Sequence, residues 1–300
     1  MIITTAIILQ VILNGIIAGA SYAVAAIGYH MVYGALKFVN FAHGSVAVFG
    51  AYIAWSLSVG FLHLGLVPSF ILAVILTALL GMFIERVAYR PLRKAPKLAP
   101  MATAMAVALM LDATTMMVIG SDIKRFNIPI VEGIQIGPVF ITPVQIAILL
   151  ASGIFLAFIS LLLRMTQLGK SIRAVADNPE LAEVCGIASN TVISLTFGIG
   201  SGLAAAAGIL IGMDAALQPT MGFVIMVKSY AAVVLGGLGN VGGAVIGSFL
   251  IGLAENLGVM VIPPVWKDAI AYGILVLCLF IRPSGLFGKK EEISATVLGG

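Results

Sequence analysis

Residues 223–254, FVIMVKSYAAVVLGGLGNVGGAVIGSFLIGLA, form an apolar stretch of the wrong length. A helix rises about 1.5 Å per residue, so the run is too long to cross roughly 30 Å of hydrocarbon once and too short to cross it twice. Gly236-Gly237-Leu238-Gly239-Asn240-Val241-Gly242-Gly243 lies in its middle. Seven other stretches, near 9–33, 44–62, 66–84, 101–120, 143–163, 192–213 and 266–282, are nearly charge-free and suit one crossing each. Parity decides what the misfit means. With the basic loop 85–97 inside, 101–120 runs out, 143–163 returns, and the basic loop 164–190 falls inside again, as the positive-inside rule demands. Stretch 192–213 then runs out, and a single crossing at 223–254 would strand Arg282, Lys289 and Lys290 outside. A segment that enters and returns to the same side keeps them inside. The expected fold is therefore all-α, a polytopic transmembrane helical bundle of about eight spanning segments. One segment, near residues 223–254, is broken or re-entrant, with two half-helices meeting at the glycine-rich turn. Such a break is tolerated only where the freed backbone is buried in protein or faces water. Backward counting puts the amino terminus outside.

Composition supports the membrane class. Hydrophobic residues make up 61% of the 300 positions and charged ones 9%, at a mean hydropathy of +1.16, whereas soluble domains carry roughly 25% charge. The 34 glycines follow no period of three, which sets a collagen-like chain aside and points to close helix contacts. Cys185 and Cys278 are the only thiols, so neither a disulfide scaffold nor a metal site is expected. The net charge of +4 does not signal nucleic acid, because eleven of the 16 Lys and Arg fall in three clusters, Arg86–Lys97, Arg164–Arg173 and Arg282–Lys290, beside apolar runs. Residues 1–36 contain no Asp, Glu, Lys or Arg, so they lack the basic head of a signal peptide and read as a first span. The layout expected is a membrane domain over 1–288, with a cytoplasmic loop at 164–190, and a cytoplasmic tail at 289–300. The outside loop 121–142, with Asp122, Lys124, Arg125 and Glu132 balanced in sign and Pro129, Pro138 and Pro143 as helix breakers, reads as solvated.

Two nucleotide motifs fail on inspection. Gly169-Lys170-Ser171 resembles the end of a phosphate-binding loop, but the required upstream glycine is Arg164, so no ATP site is expected in this chain. Gly237-Leu238-Gly239-Asn240-Val241-Gly242 matches a dinucleotide fingerprint without the βαβ unit or the later acid that give it meaning. No nucleophile has an adjacent base, so an enzyme is not expected. Glycines four apart, at Gly15/Gly19, Gly198/Gly202, Gly208/Gly212, Gly239/Gly243 and Gly243/Gly247, let helix backbones approach closely.

Polar residues within apolar stretches are costly and so are candidates for function: Asn14, Asn40, His43, Asp112 and Glu255. Asp112 reads either as a proton relay or as one partner of an interhelix hydrogen bond. Asn40-Phe41-Ala42-His43-Gly44 sits between two spans, and no general-base role follows from its lone histidine. In the loop 164–190, Asn178 can cap a short helix, Pro179 fits its first turn, Glu180 complements the positive end of its dipole and Gly186 closes it. Leu181, Val184 and Cys185 then share a face. That face suits a partner's groove or the lipid interface equally.

These residues resemble the LivH-type permease subunits of branched-chain amino acid ABC importers, over nearly the whole chain. The resemblance rests on Asn14-Gly15 with Gly19, Tyr22-Ala23 and Gly28, and on Met31-Val32-Tyr33-Gly34 followed by Asn40-Phe41-Ala42-His43-Gly44. Gly169 through Arg173-Ala174 and Asp177-Asn178-Pro179 to Ala182 and Gly186-Ile187 is similar to the family's loop that contacts the ATPase. Ala232 through Gly239, Gly243 through Glu255, and Arg282-Pro283 with Gly285-Leu286-Phe287-Gly288 are similar to its carboxy-terminal blocks. The resemblance implies an ATP-driven importer in a bacterial or archaeal inner membrane. Its partners would be a second homologous permease subunit, two ABC ATPase subunits and an extracytoplasmic substrate-binding protein, with ATP used by the partners and no cofactor or metal on this chain. It assigns ATPase coupling to Arg173, Ala174, Asp177, Asn178, Pro179, Ala182, Gly186 and Ile187. The translocation pathway is expected at Asn14, Asn40, His43, Gly44, Gly236, Gly237, Gly239 and Glu255. The competing reading is an ion-coupled secondary transporter working through Asp112 and Glu255.

Overall fold

The computed structural model describes residues 2–128 and 133–288; Pro129, Glu132, Lys289, Lys290 and the tail 289–300 lie outside the described residues. Eleven α-helices appear among those residues: α1 (Ile2–Leu36), α2 (Ala42–Trp55), α3 (Leu66–Ile84), α4 (Leu98–Ile119), α5 (Pro143–Met165), α6 (Gln167–Asp177), α7 (Pro179–Val184), α8 (Ser189–Asp214), α9 (Gly222–Gly236), α10 (Val241–Gly258) and α11 (Lys267–Ile281). Nine helical segments among the described residues are long and apolar enough to cross a membrane. The all-α polytopic expectation holds, and the count sharpens from about eight.

The break falls within the stretch that parity singled out. However, its two pieces, Pro219–Gly236 and Val241–Gly258, are each long and apolar enough to span alone, so the broken segment is a pair of span-length helices. A 3₁₀ turn at Pro219–Met221 lengthens the first piece, and the second runs past Ala254 to Gly258. At the turn, Gly237 and Gly239 adopt φ of 105° and 95°, a left-handed region that favours glycine. Asn240 then caps α10, its Oδ1 accepting from the Gly243 N–H at 3.0 Å. The segment after α11 covers this turn: Leu286 N–H donates to Leu235 O at 2.8 Å and Phe287 N–H to Gly236 O at 3.1 Å.

The bundle is organised around α8, which is buried along most of its length and packs against α1, α2 and α3. Small residues make that centre possible. Gly208 meets the backbone of Ala47, and Gly28 meets that of Gly200. The most extensive seam joins α1 to α10, where Gly15 and Gly19 lie against Gly252, Leu253 and Phe249. Side chains at these positions would push the helices apart.

The 121–142 loop, expected to be solvated, carries regular structure. A two-stranded antiparallel hairpin, β1 (Ile134–Ile136) and β2 (Val139–Ile141), pairs Ile134 with Ile141 and Ile136 with Val139. Gly137 makes its turn at φ 61°. Gln10 of α1 clamps it, accepting from Phe140 N–H at 2.8 Å and donating to Phe140 O at 2.9 Å. A capping box between Thr142 and Gln145, with Pro143 at the first position, starts α5 directly after it.

Candidate functional site

The loop between α5 and α8 folds as two short helices, as its local signals require. Thr166 caps α6, its side chain accepting from Gly169 N–H at 3.0 Å. The buried face of α6 carries Ile172 and Val175, and Gly169 sits against the backbone of Leu162 and Leu163. Arg173 donates back to Leu163 O, tying α6 to the end of α5. Asn178 ends α6 and caps α7, with Oδ1 accepting from Glu180 N–H at 2.9 Å and Leu181 N–H at 3.0 Å. Ala182 is buried, and Ser189 of α8 donates to Pro179 O at 2.9 Å. Gly186, at φ 82°, closes the unit, while Ile187 N–H bonds Ala182 O at 2.9 Å.

This leaves an apolar knob on a well-anchored base. Leu181 is 63% exposed and Val184 85%, with Cys185 exposed beside them. Removing the cap by Asn178→Ala is expected to destabilise α7 by about 1 kcal/mol. Hydrogen exchange at the Glu180 and Leu181 amides checks it: their protection should fall while that of α8 stays.

Next to the knob, the end of α3 is fastened to the start of α8. Glu85 is fully buried and ion-paired with Arg90 at 3.4 Å and with Arg93, and it accepts from Ser194. Arg90 reaches Ser194 Oγ at 2.9 Å, and Arg93 reaches Asn190 Oδ1 at 2.6 Å. Burial pulls the Arg93 guanidinium below its ordinary value and Glu85 opposes that, with Glu183 of α7 adding to the same field. An arginine stays charged in either case. The basic loop, α7 and the first turn of α8 therefore form one connected end of the bundle.

The residues expected to line a pathway fall into separate places. Asn40 stitches the α1–α2 break, its Oδ1 accepting from Ala42 N–H and from Tyr89 OH, both at 3.1 Å. His43 is buried, with Nε2 donating to Ala25 O at 3.1 Å and its ring edge-on to Tyr29 at 5.4 Å. Gly44 lies against the backbone of Gly222, where α2 meets α9. Gly236 packs on Gly243 and Gly237 on Gly288, while Gly239 has open space beside it. Asn14 accepts from Gln10 Nε2 at 3.2 Å, near the α1–α10 seam.

Glu255 is the exception that gathers partners. It is fully buried, and Lys228 Nζ lies 2.9 Å from Oε1 and 3.1 Å from Oε2. Tyr22 OH donates to Oε2 at 3.0 Å, and Lys228 also reaches Asp268 Oδ1 at 2.8 Å. Four helices, α1, α9, α10 and α11, thus share one ionic knot, buried at Glu255 and Lys228 and open at Asp268. Lys228 and Asp268 were not singled out from the sequence. The signal was present, because a lysine inside an apolar run demands a counter-charge and Glu255 was already suspect.

A family model described as "Branched-chain amino acid transport system / permease component" matches residues 11–279. The chain belongs to that family. This permease is 38% identical over 298 residues to the high-affinity branched-chain amino acid transport system permease protein BraD of Pseudomonas aeruginosa, covering 94% of this chain and 96% of BraD. It is 34% identical over 296 residues to LivH of Salmonella typhimurium, at 94% and 96% coverage. To a probable LivH of Methanocaldococcus jannaschii it is 29% identical over 303 residues, covering 93% of this chain and 92% of that protein. A multi-pass transport permease is therefore what the chain is, and this membership favours the permease over an ion-coupled secondary transporter.

Proposed function

We propose that this permease imports branched-chain or related amino acids across the inner membrane, driven by ATP hydrolysis on two separate ATPase subunits. A second permease subunit and an extracytoplasmic binding protein complete the machine, and the chain itself binds no ATP and catalyses no reaction. The observation that carries this reading is the exposed knob of Leu181, Val184 and Cys185 on the anchored α6–α7 unit. Side chains of this kind insert into a groove on a partner, and here the base beneath them is continuous with α5 and α8. Closure of the ATPase pair would pull on α7, and the rigid link would tilt the spans it joins. In this orientation the basic clusters face the cytoplasm and the amino terminus lies outside.

The test is leucine uptake into proteoliposomes holding the permease with its partner subunits and binding protein. Uptake is expected to require ATP and to survive a protonophore. Uptake by the lone chain, abolished by that protonophore, would sink the reading. Leu181→Asp combined with Val184→Asp should reduce uptake about tenfold or more by placing unpaired charge in the groove. Unchanged uptake by this variant would remove α7 from coupling.

A further inference from the structure

The seam between α2 and α4 holds polar groups that this chain leaves open. Ser45 of α2 lies close to Asp112 of α4. Further along the same two helices, Phe49, Tyr52 and Ile53 face Thr115, Val118 and Ile119 across an open groove of about 210 Å³. Tyr52 is 1% exposed, yet its hydroxyl has no partner among the described residues. Asp112 is half-buried inside the span Leu98–Ile119, and no Lys or Arg among the described residues pairs with it.

A carboxylate on a partly open face at this depth is poorly served by lipid, because hydrocarbon offers it neither charge nor hydrogen bond. Water or protein must cover that face. We infer that the α2–α4 seam is a wall of the translocation pathway, and that Asp112 receives the ammonium group of a zwitterionic aliphatic amino acid whose side chain lies in the groove. This deepens the proposed function and rests on it. Phe49, Ile53, Val118 and Ile119 give a branched side chain apolar surface. A solute without the ammonium group gains nothing from Asp112, so the seam selects within the pathway as well as conducting.

The experiment uses the complete transporter in right-side-out proteoliposomes. Val118→Cys is expected to react with a membrane-impermeant maleimide, mapped by mass to the peptide containing residue 118, and leucine with its binding protein should slow the reaction. Failure to label in the assembled transporter would mean that the face meets lipid, and the inference falls. Asp112→Asn keeps a hydrogen-bonding group for Ser45 but removes the charge. At saturating binding protein its leucine uptake should drop about tenfold or more, the size expected for a lost charge-assisted hydrogen bond. Asp112→Glu should retain part of the activity, and wild-type uptake by Asp112→Asn would overturn the ammonium assignment. If the unsubstituted transporter imports no leucine, the proposed function fails, and maleimide labelling still decides whether the seam is aqueous.

Discussion

Replacing Lys228 by methionine is expected to destabilise the folded permease by about 3–5 kcal/mol, because it strands the fully buried carboxylate of Glu255 without its cation. Methionine keeps the length of the stem, so lost packing contributes little. The partner Asp268 is 47% exposed at its side chain and can turn to water, so the penalty falls on Glu255. Thermal denaturation in detergent, followed by loss of monodisperse protein, measures the effect as a large drop in midpoint. The double variant Lys228→Met with Glu255→Gln should recover most of it, since a neutral amide can still accept from Tyr22. A single variant as stable as the unsubstituted chain would show that the knot is not holding α9, α10 and α11 together.

Lys228 also marks where sequence reading stopped. It lies inside the very stretch whose length decided the fold, yet its partners are 27 residues away on α10 and on a third helix. Periodicity along one helix cannot reveal which neighbour it will meet. Glu85 was hidden for the same reason: it opens a basic loop, and only packing brings Arg90, Arg93 and Ser194 around it. Local chemistry was far more legible. The Asn178 cap, the Pro179 start and the Gly186 close are each set by near neighbours in the sequence, and α7 forms between them. The break at the glycine-rich turn was legible because charge and parity are global constraints. Its pieces turned out longer than expected because the 3₁₀ turn at Pro219 and the run to Gly258 extend both ends. The hairpin at 134–141 depends on Gln10 from α1, a contact that no local pattern announces.

Gly44→Val should separate two readings of the α1–α2 break. A Cβ at residue 44 would collide with Gly222 O and fall 2.9 Å from Met226 Cβ, so the helix backbones of α2 and α9 would have to move apart. Overpacking of a close-packed interior costs about 1–3 kcal/mol, and a backbone obstacle puts this case at or above the upper end. By contrast, an alanine Cβ at Gly153 on α5 meets nothing within 4 Å among the described residues, so Gly153→Ala should hold or slightly raise the thermal midpoint. If Gly44 instead bordered an aqueous path, valine there would obstruct uptake while leaving stability intact. The two outcomes are distinguished by measuring denaturation midpoint and leucine uptake on the same preparations. A stable Gly44→Val chain with impaired uptake would return the break to the pathway. A destabilised one would make Gly44, like Asn40 and His43 beside it, a joint that holds α2 in place, leaving the outer reach of α2 to face the transported solute.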